Sequence, residues 1–261
     1  MRRIEAAFTA LRAEGRTGLV TYVTAGDPSL AITADILQAL DRAGADVLEV
    51  GVPFSDPLAD GPVIQRATER ALAGGATLDG VLAMIAGVRA AVRAPIVIFS
   101  YANPILRMGT DAFVARASAA GVDGVLTLDL PPEEAGEMRA ALDAAGIDTI
   151  FLLSPTTSDE RIRRAAELGG GFLYGISRLG VTGARAEVAD SAAALAGRVR
   201  ALTDRPLALG FGVSRPEHVR TMGQVADAAV VGSALVQVIA EHGASPGLLH
   251  EVERYVRWLR S

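Results

Sequence analysis

Two acids carry the strongest chemical signal in this chain. Glu49 interrupts the apolar run Val47-Leu48-Glu49-Val50-Gly51-Val52, and Asp60 follows in the segment Pro53-Phe54-Ser55-Asp56-Pro57-Leu58-Ala59-Asp60-Gly61-Pro62. Burying an ionised carboxylate without a partner costs several kcal/mol, comparable to the net stability of a whole domain, so folding alone disfavours Glu49 where it stands. A pair of carboxylates in unlike environments can divide proton work. The desolvated one is driven toward its protonated form and serves as acid, while the one near the surface stays ionised.

Composition removes most other chemistries. The chain has no cysteine, which excludes disulfides, thiolate ligands and a cysteine nucleophile. All 25 basic residues are arginine, so no lysine can form a Schiff base or hold pyridoxal phosphate. His218, His242 and His250 fall late in the chain on helical patterns without metal-ligand spacing, and no metal is expected. With a formal net charge of -5 and 5% aromatic residues, neither a phosphate-backbone footprint nor a base-stacking platform is indicated. The opening Met1-Arg2-Arg3-Ile4-Glu5 lacks a signal-peptide core, and no apolar run approaches the roughly 20 residues of a membrane span. A soluble, cytoplasmic protein with no nucleic-acid or membrane partner is the expectation.

The elements that must position the two acids alternate regularly. After an amphipathic opening helix within 1–15, eight short apolar runs recur at 19–23, 47–50, 96–99, 125–128, 149–153, 172–176, 207–210 and 228–231. Helical patterns rich in Ala, Arg, Glu and Leu separate them, for example at 29–43, 132–145 and 159–168. Eight strand-helix units in 261 residues predict a single-domain (β/α)8 TIM barrel with an extra N-terminal helix. Strand parity then places Val47, Glu49 and Gly51 on one face and Leu48 and Val50 on the other, so Glu49 points into the barrel near the C-terminal end of its strand. Active sites of such barrels lie at that end, and Asp60 belongs to the loop that leaves the same strand. Two plainer readings compete: Glu49 paired with a buried arginine, and Asp60 capping the helix that begins near Gly61 and Pro62.

Glycines supply a second site. Gly210-Phe211-Gly212-Val213-Ser214 follows the seventh strand, and Val231-Gly232-Ser233-Ala234 ends the eighth and opens a helix, an arrangement whose backbone N–H groups suit a phosphate. Arg178-Leu179-Gly180-Val181-Thr182-Gly183-Ala184-Arg185 begins a long connection, 178–191, placed to act as a lid. Tyr22, Phe99, Tyr174 and Phe211 all fall near strand C-termini, where a planar apolar ligand would sit.

The segment 46–65 closely resembles the signature of the tryptophan synthase alpha chain family. Further similarities occur at Thr24-Ala25-Gly26-Asp27-Pro28, Tyr101-Ala102-Asn103-Pro104, Gly180-Val181-Thr182-Gly183, Gly210-Phe211-Gly212 and Gly232-Ser233, in the family's order. The resemblance implies cofactor-free retro-aldol cleavage of indole-3-glycerol phosphate to indole and glyceraldehyde 3-phosphate. It implies Glu49 as the acid-base residue and Asp60 at the indole nitrogen. Tyr22, Phe99, Leu126 and Phe211 would form the indole pocket, with Tyr174 beside the substrate and Thr182 meeting Asp60 on lid closure. Gly183, Gly212, Gly232 and Ser233 would contact the phosphate. Asp56, Pro57 and Asn103 would lie in the loops that dock a beta chain, which holds the pyridoxal phosphate, in an alpha2beta2 heterotetramer. Several family members carry phenylalanine and leucine where this chain has Tyr22 and Phe99. The alternatives are a stand-alone indole-3-glycerol-phosphate lyase, a catalytically inactive subunit that binds a phosphorylated ligand, and an isomerase or epimerase of another phosphosugar, which would leave the 46–65 motif unexplained.

Overall fold

Every strand pair among the described residues is parallel, which demands a helix between successive strands and cover on both faces of the sheet. The structure, a computed structural model, describes residues 1–176, 185–210 and 212–261, without the side chains of 185–189. Its strands are β1 (Gly18–Thr24), β2 (Val47–Gly51), β3 (Ile96–Ser100), β4 (Gly124–Thr127), β5 (Asp148–Ile150), β6 (Leu152–Leu153), β7 (Leu173–Ile176), β8 (Leu207–Gly210) and β9 (Ala228–Val231). The helices are α1 (Arg3–Glu14), α2 (Leu30–Ala43), α3 (Pro62–Ala73), α4 (Leu78–Val88), α5 (Ala102–Met108) and α6 (Thr110–Ala120). They continue as α7 (Gly136–Ala144), α8 (Asp159–Leu168), α9 (Arg185–Arg200), α10 (Pro216–Gly223), α11 (Ser233–His242) and α12 (Leu248–Leu259).

The sheet runs β5-β4-β3-β2-β1-β9-β8-β7-β6. Its two ends, β5 and β6, are successive pieces of one apolar run, so the chain itself closes the barrel through Phe151. The fifth run therefore reads as one strand in the sequence and as two in the fold. Its first half pairs with β4 and its second with β7, and the ladder changes partner at the junction. The helical pattern at 132–145 likewise begins later than its sequence indicates, at Gly136, because Pro131 and Pro132 lead into a turn closed by Glu134 N–H to the Pro131 carbonyl. Ser29 and Ser158 cap α2 and α8 by accepting from the N–H groups of Ile32 and Arg161.

Strand parity divides the apolar residues as expected. Val20, Val47, Val97, Leu126, Ile150, Ala208 and Val230 pack inside the barrel, whereas Leu19, Leu48, Val50, Ile98, Val125 and Leu209 pack under the helices. The N-terminal end of the barrel is stoppered by α1, whose Ile4, Phe8 and Leu11 join the interior cluster, with Phe8 at 5.3 Å from the ring of Phe172. Gly18, Gly124 and Gly171 permit this close seating. A Cβ on any of them would fall within 2.9 Å of Leu11 or Ile4. Among the described residues no single helix is long and apolar enough to cross a membrane.

Because Phe8 is 1% exposed, Phe8→Ala is expected to cost about 3–5 kcal/mol in urea unfolding. Trp258→Ala, at a position 46% exposed, should cost less than about 1 kcal/mol in the same assay.

Candidate active site

Glu49 is the central residue of β2, a strand buried along its whole length. Its neighbours in register are Tyr22 on β1 and Val97 on β3, both with interior parity. The carboxyl is fully buried, and among the described residues neither oxygen has a hydrogen-bond partner of ordinary geometry. No arginine reaches it, so the buried ion pair allowed by the sequence is absent among the described residues. Desolvation pushes the Glu49 carboxyl up to about 8, and the neighbouring Tyr174 hydroxyl pulls down without offsetting it. Near neutral pH this favours the protonated carboxyl.

Asp60 stands in a different setting. The loop after β2 turns back at Pro57, whose carbonyl accepts the Asp60 N–H at 3.1 Å, and α3 begins two residues later with Pro62 at its first position. The helix cap is Gly61 and no side chain caps it, so the plain capping role for Asp60 is overturned. The carboxylate turns instead to Tyr101, which follows β3. The Tyr101 hydroxyl donates to Oδ2 of Asp60 at 3.4 Å and accepts the Ala59 N–H at 3.0 Å. Burial raises the Asp60 carboxyl to about 6, with Tyr101 opposing. The loop-surface position expected from sequence is corrected to a half-buried one, and the group is ionised only above that value.

Aromatic rings connect the two acids. Tyr22 meets Phe99 edge-on at 5.2 Å between centroids, and Phe99 lies 6.3 Å from Tyr174. The Tyr22 ring needs Gly51 beneath it, since a Cβ there would lie 2.1 Å from its hydroxyl. Leu126 fills the interior next to Phe99 by register. Gly232 caps α11 and lies against Tyr22, 3.7 Å from a Cβ built on it, with Ser233 as the first residue of that helix. Gly212 takes a left-handed φ of 72° just after β8. The N–H groups at the start of α11 and the Gly212 turn thus stand at the same end of the barrel as the acids. Thr182, Gly183 and Phe211 lie outside the described residues, as does the first part of the expected lid. From Arg185 onward the chain is α9.

Two positioning residues were missed in the sequence reading. Tyr101 was visible only as part of a motif, although its alternation with Phe99 places it on the same side of the chain. Arg70 of α3 grips Asp27, in the loop after β1, through two bonds of 2.8 and 2.6 Å to both carboxylate oxygens. This fork fixes the helix whose start carries Asp60, and Asp27 is buried. Asp56 and Pro57 lie in the loop after β2, where Leu58 is 93% exposed, and Asn103 lies on α5, where Leu106 is 60% exposed.

Fold and site together define a class: a (β/α)8 barrel with two carboxylates of raised pKa gathered at the C-terminal ends of its strands. Residues 8–257 match the family model for the tryptophan synthase alpha chain. A tryptophan synthase alpha chain from Geobacter sp. (strain M21) is 47% identical over 260 residues, covering 100% of this chain and 97% of its own length. Tryptophan synthase subunit alpha from Legionella pneumophila superposes with a TM-score of 0.92 at 38% identity, covering 100% of this chain and 97% of that one. An aminoacrylate-bound tryptophan synthase from M. tuberculosis gives 0.89 at 36% identity, with 100% and 98% covered. The chain belongs to the tryptophan synthase alpha chain family, and it is an enzyme subunit of tryptophan biosynthesis.

The burial of Glu49 sets a stability test. An isolated glutamate releases its proton near 4.5 and this one near 8, so the folded state binds the extra proton between those values and loses stability as pH rises through them. Glu49→Gln is expected to remove that loss. In urea unfolding the variant should gain on the wild type by a few kcal/mol between pH 5 and pH 9, and a constant difference across that range would contradict an uncompensated buried carboxyl.

Proposed function

We propose that this subunit cleaves indole-3-glycerol phosphate to indole and glyceraldehyde 3-phosphate by a retro-aldol lyase reaction. The observation that carries the reading is a glutamate buried inside the barrel with no cation beside it among the described residues, its carboxyl pushed up by desolvation, and a less strongly shifted carboxylate on the loop leaving the same strand. Cleavage needs a proton on indole C3 and loss of the proton from the glycerol hydroxyl beside the breaking bond. Glu49 gives its proton to C3, forming the indoleninium, and as carboxylate then takes the hydroxyl proton. The carbon-carbon bond breaks to leave the aldehyde, its electron pair returns to the ring, and the enzyme regains its starting protonation. Asp60 accepts the ring N–H and stabilises the positive charge that develops there, a role strengthened by its half-buried setting. Tyr22, Phe99, Leu126 and Tyr174 enclose the ring system, while Gly212, Gly232 and Ser233 hold the phosphate far from the breaking bond and so orient the substrate. The family likeness extends the phosphate site to Gly183, the indole pocket to Phe211 and lid contact to Thr182.

The same reading includes a partner. Exposed Leu58 lies on the loop that carries Asp56 and Pro57, and exposed Leu106 on the helix α5 that carries Asn103, a surface suited to a beta chain that holds pyridoxal phosphate in an alpha2beta2 assembly. Co-purification with a beta chain and mutual activation tests this part.

Indole release from indole-3-glycerol phosphate, followed with and without a beta chain, tests the reaction directly. Glu49→Gln should lower turnover by about 10²–10⁴ while the protein stays folded, and wild-type turnover in that variant would sink the assignment. The pH profile of kcat/KM should be a bell, rising through about 6 as Asp60 ionises and falling through about 8 as Glu49 loses its proton. Tyr101→Phe should move the acid limb upward, because its hydroxyl lowers the Asp60 value, and leave the alkaline limb in place.

A further inference from the structure

The loop after β8 carries Gly212, and its course is fixed residue by residue. Gly212 takes its left-handed φ of 72° in open space, since a Cβ there would meet nothing within 4 Å, so the glycine answers to backbone conformation and not to crowding. Val213, 3% exposed, is anchored in the core under the helices. Ser214 is then held by both of its backbone groups. Its N–H donates to Nδ1 of His218 on α10 at 3.3 Å, and its carbonyl accepts the Tyr255 hydroxyl of α12 at 3.1 Å.

Both side chains reach outside their own helices. α10 begins at Pro216 after Arg215 with no side chain capping it, and His218, in its first turn, reaches back past the cap to Ser214, whose hydroxyl lies 3.4 Å from the same ring nitrogen. Accepting the Ser214 N–H commits the Nδ1 lone pair and, in the neutral ring, leaves the proton on Nε2. Tyr255 crosses 41 positions of sequence to reach the loop. Burial holds its hydroxyl up at about 12, so it remains a donor throughout the working pH range.

Next to this doubly held residue, the N–H groups of Gly212 and Val213 make no hydrogen bond among the described residues. α12 also packs on α11, the helix whose start carries Gly232 and Ser233, so both parts of the phosphate site are referred to one helix. Backbone donors serve an anion best when they already point at it. A loop that has to order on binding spends part of the interaction on its own lost entropy.

We propose that His218 and Tyr255 are positioning residues for the phosphate group of the substrate: by holding the N–H and the carbonyl of Ser214 from two helices, they keep the Gly212 turn in the shape that receives it. Neither side chain need touch the substrate. The inference rests on the phosphate site of the lyase reading above and adds two residues outside that site.

Calorimetric titration of the full chain with sn-glycerol 3-phosphate, set beside the kinetics of indole formation from indole-3-glycerol phosphate, tests the inference. Tyr255→Phe, which removes only the hydroxyl, and His218→Ala should each weaken glycerol 3-phosphate by about 3- to 10-fold, the range of one ordinary hydrogen bond. KM for indole-3-glycerol phosphate should rise by a like factor with kcat within about 2-fold of wild type, and inhibition by free indole, which has no phosphate, should not change. His218→Asn should restore the affinity, because its Oδ1 stands where Nδ1 stood and accepts the same N–H. Tyr255→Phe carries the test by itself if His218→Ala does not fold. Unchanged glycerol 3-phosphate affinity in either folded variant overturns the inference. An equal loss of indole affinity, which marks general loosening, or an asparagine variant no better than alanine overturns it as well. A wild-type chain that binds glycerol 3-phosphate and forms no indole would sink the lyase reading alone, since the titration still decides what His218 and Tyr255 do.

Discussion

The side of β2 that faces the barrel axis is buried, because the barrel is closed through Phe151, stoppered by α1 and packed with Tyr22, Phe99 and Tyr174 around Glu49. Dehydration of one carboxylate follows, and much else in the structure depends on it. In water Glu49 would be an ordinary ionised glutamate with nothing to donate. Inside this barrel, with no cation beside it among the described residues, desolvation favours the neutral acid. The apolar packing that gives the fold its stability is thus also what turns a common side chain into a proton donor. An arginine placed beside it would relieve the energetic conflict and remove the chemistry.

The division of labour between the acids is set by position along one strand and its loop. Glu49 lies within the ladder, with no solvent on either face. Asp60 lies beyond the rim, half-buried, and meets a hydroxyl that favours its ionised form. Differences in desolvation of this kind separate two carboxyls whose unperturbed values are nearly equal. The loop that carries Asp60 is short of regular structure, so its placement relies on neighbours: Tyr101 accepting the Ala59 N–H, and the Arg70–Asp27 fork holding α3 to the loop after β1. Precision at the acid is therefore supplied by two other βα units, not by its own.

Segregation of tasks between the barrel's two ends is equally physical. At the C-terminal rim, strand ends and helix N-termini present N–H groups and loops free to vary, which suits substrate capture. At the N-terminal rim the glycines at 18, 124 and 171 admit the side chains of α1 into the interior, which suits closure.

Much of this was legible in the amino-acid sequence. Apolar runs of four or five residues marked the strands, and a period of two is enough to say that Glu49 shares a face with Val47 and Gly51, since the pleat leaves no other choice. The absence of lysine and cysteine restricted the chemistry without reference to any fold. The partner of Asp60 was not local. In sequence Asp60 sits before a proline-headed helix and reads as a cap; its actual partner is 41 residues away on the next strand's loop, and only the barrel's curvature brings the two together. The split of the fifth strand, the Arg70–Asp27 fork across 43 residues and the shifts that push Glu49 and Asp60 upward have the same origin. Residue type and periodicity determine which way a side chain points, whereas dehydration and the company it keeps depend on elements distant in sequence, which only the tertiary structure brings together.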